Sequence, residues 1–273
     1  MNVAIDYEVE YNNRARVPEN PALIAGWARD AKAYREARTG RWHVIPYGAG
    51  ARHSIDFFAA EGQGPIAVFI HGGYWQALDS SFFSHLAGGL NAHGISVAVP
   101  NYDLCPTVTV DDIIDQTRLA MRELAKLGQP LVVSGHSAGG HLAACMLATD
   151  WRAIDPALPD NLIAAAYAIS GLFDLVPLVG TSINTALHLD DAAARRASPL
   201  LWPKPVRGSL DAAVGALESA EYFRQSESIV AAWGGAIATR FEVIPDANHF
   251  TAIAPLADPQ SPMTLRIRQL ARR

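Results

Sequence analysis

Gly135-His136-Ser137-Ala138-Gly139 is a G-x-S-x-G pentapeptide that follows the apolar run "PLVVS" and leads into the small-residue run "AGGHLAACML". A serine on a sharp turn between strand and helix needs small neighbours two positions away on either side, because the backbone packs closely there. The helix that follows aims its N-terminal N–H groups, and the positive end of its dipole, at charge developing beside the serine. The chemistry this spacing can perform is nucleophilic acyl transfer. A serine that only caps a helix leaves the same local pattern, so the decision rests on partners. A hydroxyl is a weak nucleophile at neutral pH and needs a base, which in turn needs an orienting acid.

With a nucleophile elbow the chain order of the three groups is serine, acid, histidine. Of nine histidines, only His188 and His249 lie beyond the helix after Ser137. His249 sits in "VIPDANHFTAI", a polar loop directly after the last predicted strand, and is preferred over His188, which falls in a stretch read as a local helix. For the acid, Glu218 follows the penultimate apolar run "AAVGAL" directly. Asp174, after the preceding strand, and Glu221, one turn into the next helix where a carboxylate also complements the dipole, are its rivals. The tetrahedral oxyanion needs donors, and "VFIHGGYWQAL" (68–78) supplies them: Gly72 and Gly73 can present amides with no Cβ in the way, alongside the amide of Ala138. His71 precedes the serine and is read as a brace for that loop. Tyr74, Trp75, Phe173 and Trp202 are the candidate pocket rings, with core packing as the competing reading.

These groups must be carried by strands ending on a common edge. Apolar runs at 53–58, 66–70, 95–100, 131–135, 162–170, 212–217 and 241–245 alternate with longer helical patterns, and a helix over 21–38 precedes the sheet. Near-continuous apolar strands separated by helices predict a mostly parallel central sheet covered on both faces, an α/β architecture in a single domain over 1–273. Residues 172–210, rich in Pro, Asp, Arg and Trp, are too long for a simple connection and are a candidate cap insertion.

Bulk properties exclude other classes. With 22 Lys+Arg against 27 Asp+Glu and a formal charge of -5, there is no basic footprint for nucleic acid. No apolar run approaches the roughly 18 residues of a membrane span, and the polar opening stretch "MNVAIDYEVEYNNRARVPENP" is unlike a secretory leader. Cys105 and Cys145 are too few for a disulfide framework, which gives the expectation of a cytoplasmic enzyme. No metal-ligand spacing is evident and the chemistry requires no cofactor. A small-molecule substrate is expected, and a twofold homodimer is the base-rate assembly.

His71-Gly72-Gly73-Tyr74-Trp75, the GHSAG elbow, "NYDLCP", "SGLFDLVPL" with "TSINTAL", and "ESAEYFRQS" before "NHF" together resemble the kynurenine formamidase (arylformamidase) branch of the α/β-hydrolases, close to hormone-sensitive-lipase-like esterases. The likeness runs from "EYNNRARVP" (10–18) to His249. It implies an α/β-hydrolase fold and a triad of Ser137, Glu218 and His249. Oxyanion donors at Gly72, Gly73 and Ala138, and hydrolysis of N-formylkynurenine or related aryl formamides, follow from it too. A carboxylesterase for small or aryl esters is the alternative. The departure is Glu218, where the family more usually carries Asp.

Overall fold

The computed structural model describes residues 5–61 and 64–272, so the first four residues of the polar opening stretch lie outside it. Eight strands form one sheet: β1 (Trp42–Pro46), β2 (Ser54–Phe58), β3 (Ile66–Ile70), β4 (Ser96–Pro100), β5 (Leu131–His136), β6 (Ile163–Ile169), β7 (Ser209–Gly215) and β8 (Ala238–Ile244). Their order is β1-β2-β4-β3-β5-β6-β7-β8. β2 is antiparallel to both β1 and β4, and every other pairing is parallel.

The helices are α1 (Tyr7–Tyr11), α2 (Asn13–Arg16), α3 (Asn20–Ala37), α4 (Ala87–Asn91), α5 (Val110–Ala125), α6 (Ala138–Ala148), α7 (Trp151–Ile154), α8 (Asn184–Leu187), α9 (Asp191–Arg196), α10 (Ala220–Trp233) and α11 (Pro262–Ala271). Side chains along β3 alternate between two cores, Ile66, Val68 and Ile70 entering one and Ala67 and Phe69 the other, as the period of two requires. The first core is closed by α5, α6 and α10 through residues such as Ile113, Leu142 and Ile229. The second is closed by α3, α4 and α11 through Trp27, Leu90 and Ile267. Local signals support the long helices: Thr109 and Asp112 form a reciprocal capping box on α5, and Ser261 caps α11 ahead of Pro262.

Some elements differ from expectation. β1 is an additional strand whose residues are half-buried or exposed, so its sequence lacks an apolar run. The stretch "SSFFSHLAGGLNAHG" between β3 and β4, one of the longer helical patterns that alternate with the apolar runs, breaks into two 3₁₀ turns, Ser80–Phe82 and Ser84–Leu86, before the short α4. Within residues 172–210 the chain folds as 3₁₀ turns and the short helices α8 and α9, and its last two residues, Ser209 and Leu210, already open β7. Among the described residues no helix is long and apolar enough to cross a membrane, and no group of three His, Cys, Asp or Glu is placed to hold a metal ion.

Candidate active site

Parallel pairing brings the carboxyl ends of β3, β5, β6, β7 and β8 to one edge. Ile70 is level with Gly135, His136 with Ile169, Ile169 with Ala213, and Gly215 with Ile244. The chain segments that leave this edge carry Gly72, Ser137, Ser170, Glu218 and His249 in turn.

Ser137 adopts φ 57°, ψ -119° between β5 and α6, a left-handed conformation that costs on the order of 1–3 kcal/mol unless the surroundings hold it. They do so on both sides: the Ser137 amide donates to Ile169 O at 2.8 Å, and His141 N donates to Ser137 O at 3.1 Å. A Cβ on Gly135 would collide with the Gly139 carbonyl, and one on Gly139 with the Ile70 carbonyl, so both flanking positions admit only glycine. Residues Ala138 to Leu147 of the helix are all buried, which wedges its N-terminus against the sheet edge.

Glu218 is buried, and its two oxygens face different partners. Oε1 accepts from Ser170 Oγ at 2.5 Å and from the Gly215 amide at 2.7 Å. Oε2 lies 2.7 Å from His249 Nδ1. A carboxylate only accepts, so Nδ1 carries the proton and Nε2 of His249 is free to take one. His136 and Tyr222 pack on the His249 ring, at 4.6 and 4.7 Å between centroids. His136 Nε2 donates to the His249 carbonyl at 2.8 Å, and burial drives the His136 pKa well below its usual value, so this neighbour stays neutral. The rival acids lie elsewhere: Glu221 chelates Arg224 at 2.8 Å, and Asp174 faces the same guanidinium at 3.6 Å.

The His71–Gly73 loop bends over Ser137. A Cβ on Gly72 would lie 2.7 Å from the His136 carbonyl and 3.0 Å from Ser137 Cβ, and Gly73, at φ 113°, would run one into the Ala77 carbonyl. Among the described residues, the amides of Gly72, Gly73 and Ala138 donate to no protein acceptor. His71 Nδ1 donates to Gly72 O at 2.8 Å and its ring stacks 4.2 Å from Tyr102, whose hydroxyl donates to His71 O. Burial pushes the His71 pKa down to about 4, so it is a neutral brace.

A cavity of about 430 Å³ opens over these groups, and Ser137, His136, His249, Gly72, Gly73 and Tyr74 all line it. Of the four candidate rings only Tyr74 faces it. Trp75 is fully buried, edge-on to His141 at 5.0 Å, because left-handed φ angles at Tyr74 and Trp75 turn the chain back into the core. Phe173 is fully buried too, its amide tied to Gln225 Oε1. Trp202 lies away from the cavity, its indole donating to Arg196 O and stacked by Arg118. Trp27, Phe83 and Phe250 supply the aromatic walls instead.

The roof also differs from expectation. Residues 172–210 contribute only Ser182 and Ile183, while the N-terminal helices contribute Glu8, Tyr11, Asn12, Asn13 and Arg14. The roof is bolted down by hydroxyls: Asn13 Nδ2 donates to Tyr222 OH at 2.7 Å, Tyr74 OH donates to Tyr11 O at 2.7 Å, and Tyr11 OH donates to Glu221 at 2.8 Å. Burial raises the pKa of Tyr11, Tyr74 and Tyr222, keeping all three protonated donors. Nothing in the short patterns of residues 7–16 marks them as roof; the only sequence signal was their place within the family likeness.

The sheet order, the strained serine turn and the glycine loop define an α/β-hydrolase, and a family model described as alpha/beta hydrolase fold matches residues 67–217. Curated relatives narrow this. The kynurenine formamidase of Danio rerio is 30% identical over 226 residues, 78% of this chain and 76% of that protein. That of Drosophila melanogaster is 34% identical over 199 residues, 67% and 65%. The chain belongs to the kynurenine formamidase family of α/β-hydrolases and is a hydrolase. Among solved structures, a candidate thioesterase from Silicibacter sp. TM1040 superposes with a TM-score of 0.87 at 35% identity, over 97% of this chain and 100% of that one. An esterase from Pyrobaculum calidifontis, at TM-score 0.72 and 15% identity over 92% of each chain, shares the fold.

Proposed function

We propose that this enzyme hydrolyses N-formylkynurenine or related aryl formamides to formate and the free arylamine. In this reading Ser137 Oγ attacks the formyl carbon while His249 Nε2 takes its proton, and Glu218 steadies the imidazolium that forms. The amides of Gly72, Gly73 and Ala138 hold the oxyanion. Collapse of the tetrahedral intermediate breaks the C–N bond as His249 returns the proton to the leaving nitrogen. Water then attacks the formyl-serine, giving up a proton to His249, and formate leaves as Ser137 regains its hydrogen.

The observation that carries the reading is Ser137 and His249 lining one cavity, with His249 Nδ1 2.7 Å from Glu218 Oε2. The close approach of Gly72 to Ser137 supports a small acyl group. The likeness to kynurenine formamidases favours formamides. The buried, unpaired thiols of Cys105 and Cys145 support a reducing, cytoplasmic setting.

Esters pass through the same oxyanion, so the test is comparative. The expected result is a higher kcat/KM for N-formylkynurenine than for p-nitrophenyl acetate. Turnover of the ester with no hydrolysis of the formamide overturns the proposal in favour of a carboxylesterase.

A further inference from the structure

Four residues with ionisable or imidazole side chains line the cavity beyond the hydroxyls of tyrosine: Glu8, Arg14, His136 and His249. Burial keeps His136 neutral, and His249 is engaged with Glu218. Both carboxylate oxygens of Glu8 are occupied by Ser182, accepting from its amide and its hydroxyl at 2.7 Å each. Arg14 differs. Its side chain makes no hydrogen bond or ion pair with another described residue, whereas its neighbour Arg16 lies 3.9 Å from Glu10.

The backbone of Arg14 is nevertheless held in place. Asn12 caps α2 through Ala15 N at 3.1 Å, Asn20 Nδ2 donates to Arg14 O at 3.1 Å, and Asn13 is bonded to Tyr222. An exposed guanidinium on a fixed backbone, with no partner among the described residues, offers a planar fork of donors matched to a carboxylate. In the reading above the acyl group is a formyl, so an anion reaching the roof belongs to the leaving group.

We propose that Arg14 is a specificity residue that selects substrates whose leaving group carries a carboxylate. This rests on the hydrolase site described above and on its reading as a formamidase, and the test separates the two. Two matched pairs are compared: N-formylkynurenine with N-formylkynuramine, which lacks the carboxylate, and 3-acetoxybenzoate with 3-acetoxybenzamide.

Arg14→Ala is expected to raise KM about tenfold for each carboxylate-bearing member, the scale of one charge-assisted hydrogen bond in partial contact with solvent. The uncharged or decarboxylated members should stay within about twofold, and kcat should change little. Arg14→Lys keeps the charge without the fork and should retain only part of the preference, and raising NaCl should narrow it in the wild type while leaving Arg14→Ala unmoved. Equal losses on both members of a pair, or no loss on either, overturn the proposal. If formamides are inert but the acetoxy pair shows the split, the formamidase reading falls and the role of Arg14 stands.

Discussion

Glu218→Gln keeps the shape of the side chain and removes one acceptor, which makes it the sharpest probe of the acid's role. Oε1 sits among donors: the Gly215 amide at 2.7 Å cannot turn away, and Ser170 Oγ is 2.5 Å distant. A glutamine NH₂ placed there would oppose a main-chain N–H in a buried site, at a cost of about 1–3 kcal/mol. The amide therefore settles with its oxygen toward Gly215 and its NH₂ toward His249 Nδ1. That forces the proton of the imidazole onto Nε2, the nitrogen that must accept from Ser137. Reaching the productive tautomer costs the same 1–3 kcal/mol, and the imidazolium loses a charge-assisted partner worth about 1.5–3 kcal/mol. At about 1.4 kcal/mol per decade the expected loss in kcat/KM is about 10²- to 10⁴-fold. It should be measured on both a formamide and an aryl ester, with the melting temperature of the variant as the control for folding. A folded variant within tenfold of the wild type, or an equal loss from Asp174→Asn, would refute the assignment of the acid.

Ser137→Ala should abolish turnover apart from the residual rate supplied by binding and the oxyanion donors, and stopped assays with a serine-directed phosphonate should find no adduct on it. Gly72→Ala should lower kcat about 10²- to 10³-fold while the protein still melts cooperatively, since its added Cβ crowds the His136 carbonyl at 2.7 Å beside the nucleophile. Gly139→Ala should instead appear as a folding defect, its Cβ meeting the Ile70 and His71 carbonyls, and a soluble variant with wild-type melting would contradict this. His71 and His141 are buried and neutral, each with its pKa pushed down to about 4 by burial. The unfolded chain binds protons on these rings near pH 6.5 and the folded chain does not, so stability is lost as pH falls from 6.5 toward 4, on the order of 3 kcal/mol per ring. A melting temperature that is flat between pH 7 and 4.5 would contradict it.

The sheet was legible because its inner strands are buried on both faces and so read as apolar runs, with Ile66–Ile70 and Leu131–His136 the clearest. β1 was not, because an edge strand with exposed Val44 carries no such signal. The positions of Ser137, Glu218 and His249 were readable as points where the chain leaves a strand. Their partners Ser170 and Gly215 occupy the same kind of position without any mark of it, since nothing in a Ser or Gly alone says that it will face a carboxylate. The ring assignments were weakest. Trp75 adjoins Tyr74 in sequence, yet a left-handed turn at both residues sends one ring to the cavity and the other into the core. Backbone handedness at non-glycine residues is set by surrounding contacts rather than by local pattern, so side-chain direction there was beyond the reach of the sequence.

The bonds of Tyr11 and Asn13 to Glu221 and Tyr222 join residues some 210 positions apart. Residues 7–16 meet Tyr74 and Ser182 as well, but the bonds to Glu221 and Tyr222 must wait until α10 has been made. Until then, an elbow already formed by residues near Ser137 would stand open to water. The pocket therefore acquires its full wall only after α10 has been made, and a substitution in residues 7–16 would be felt at the roof of the pocket rather than in a passive stretch of chain.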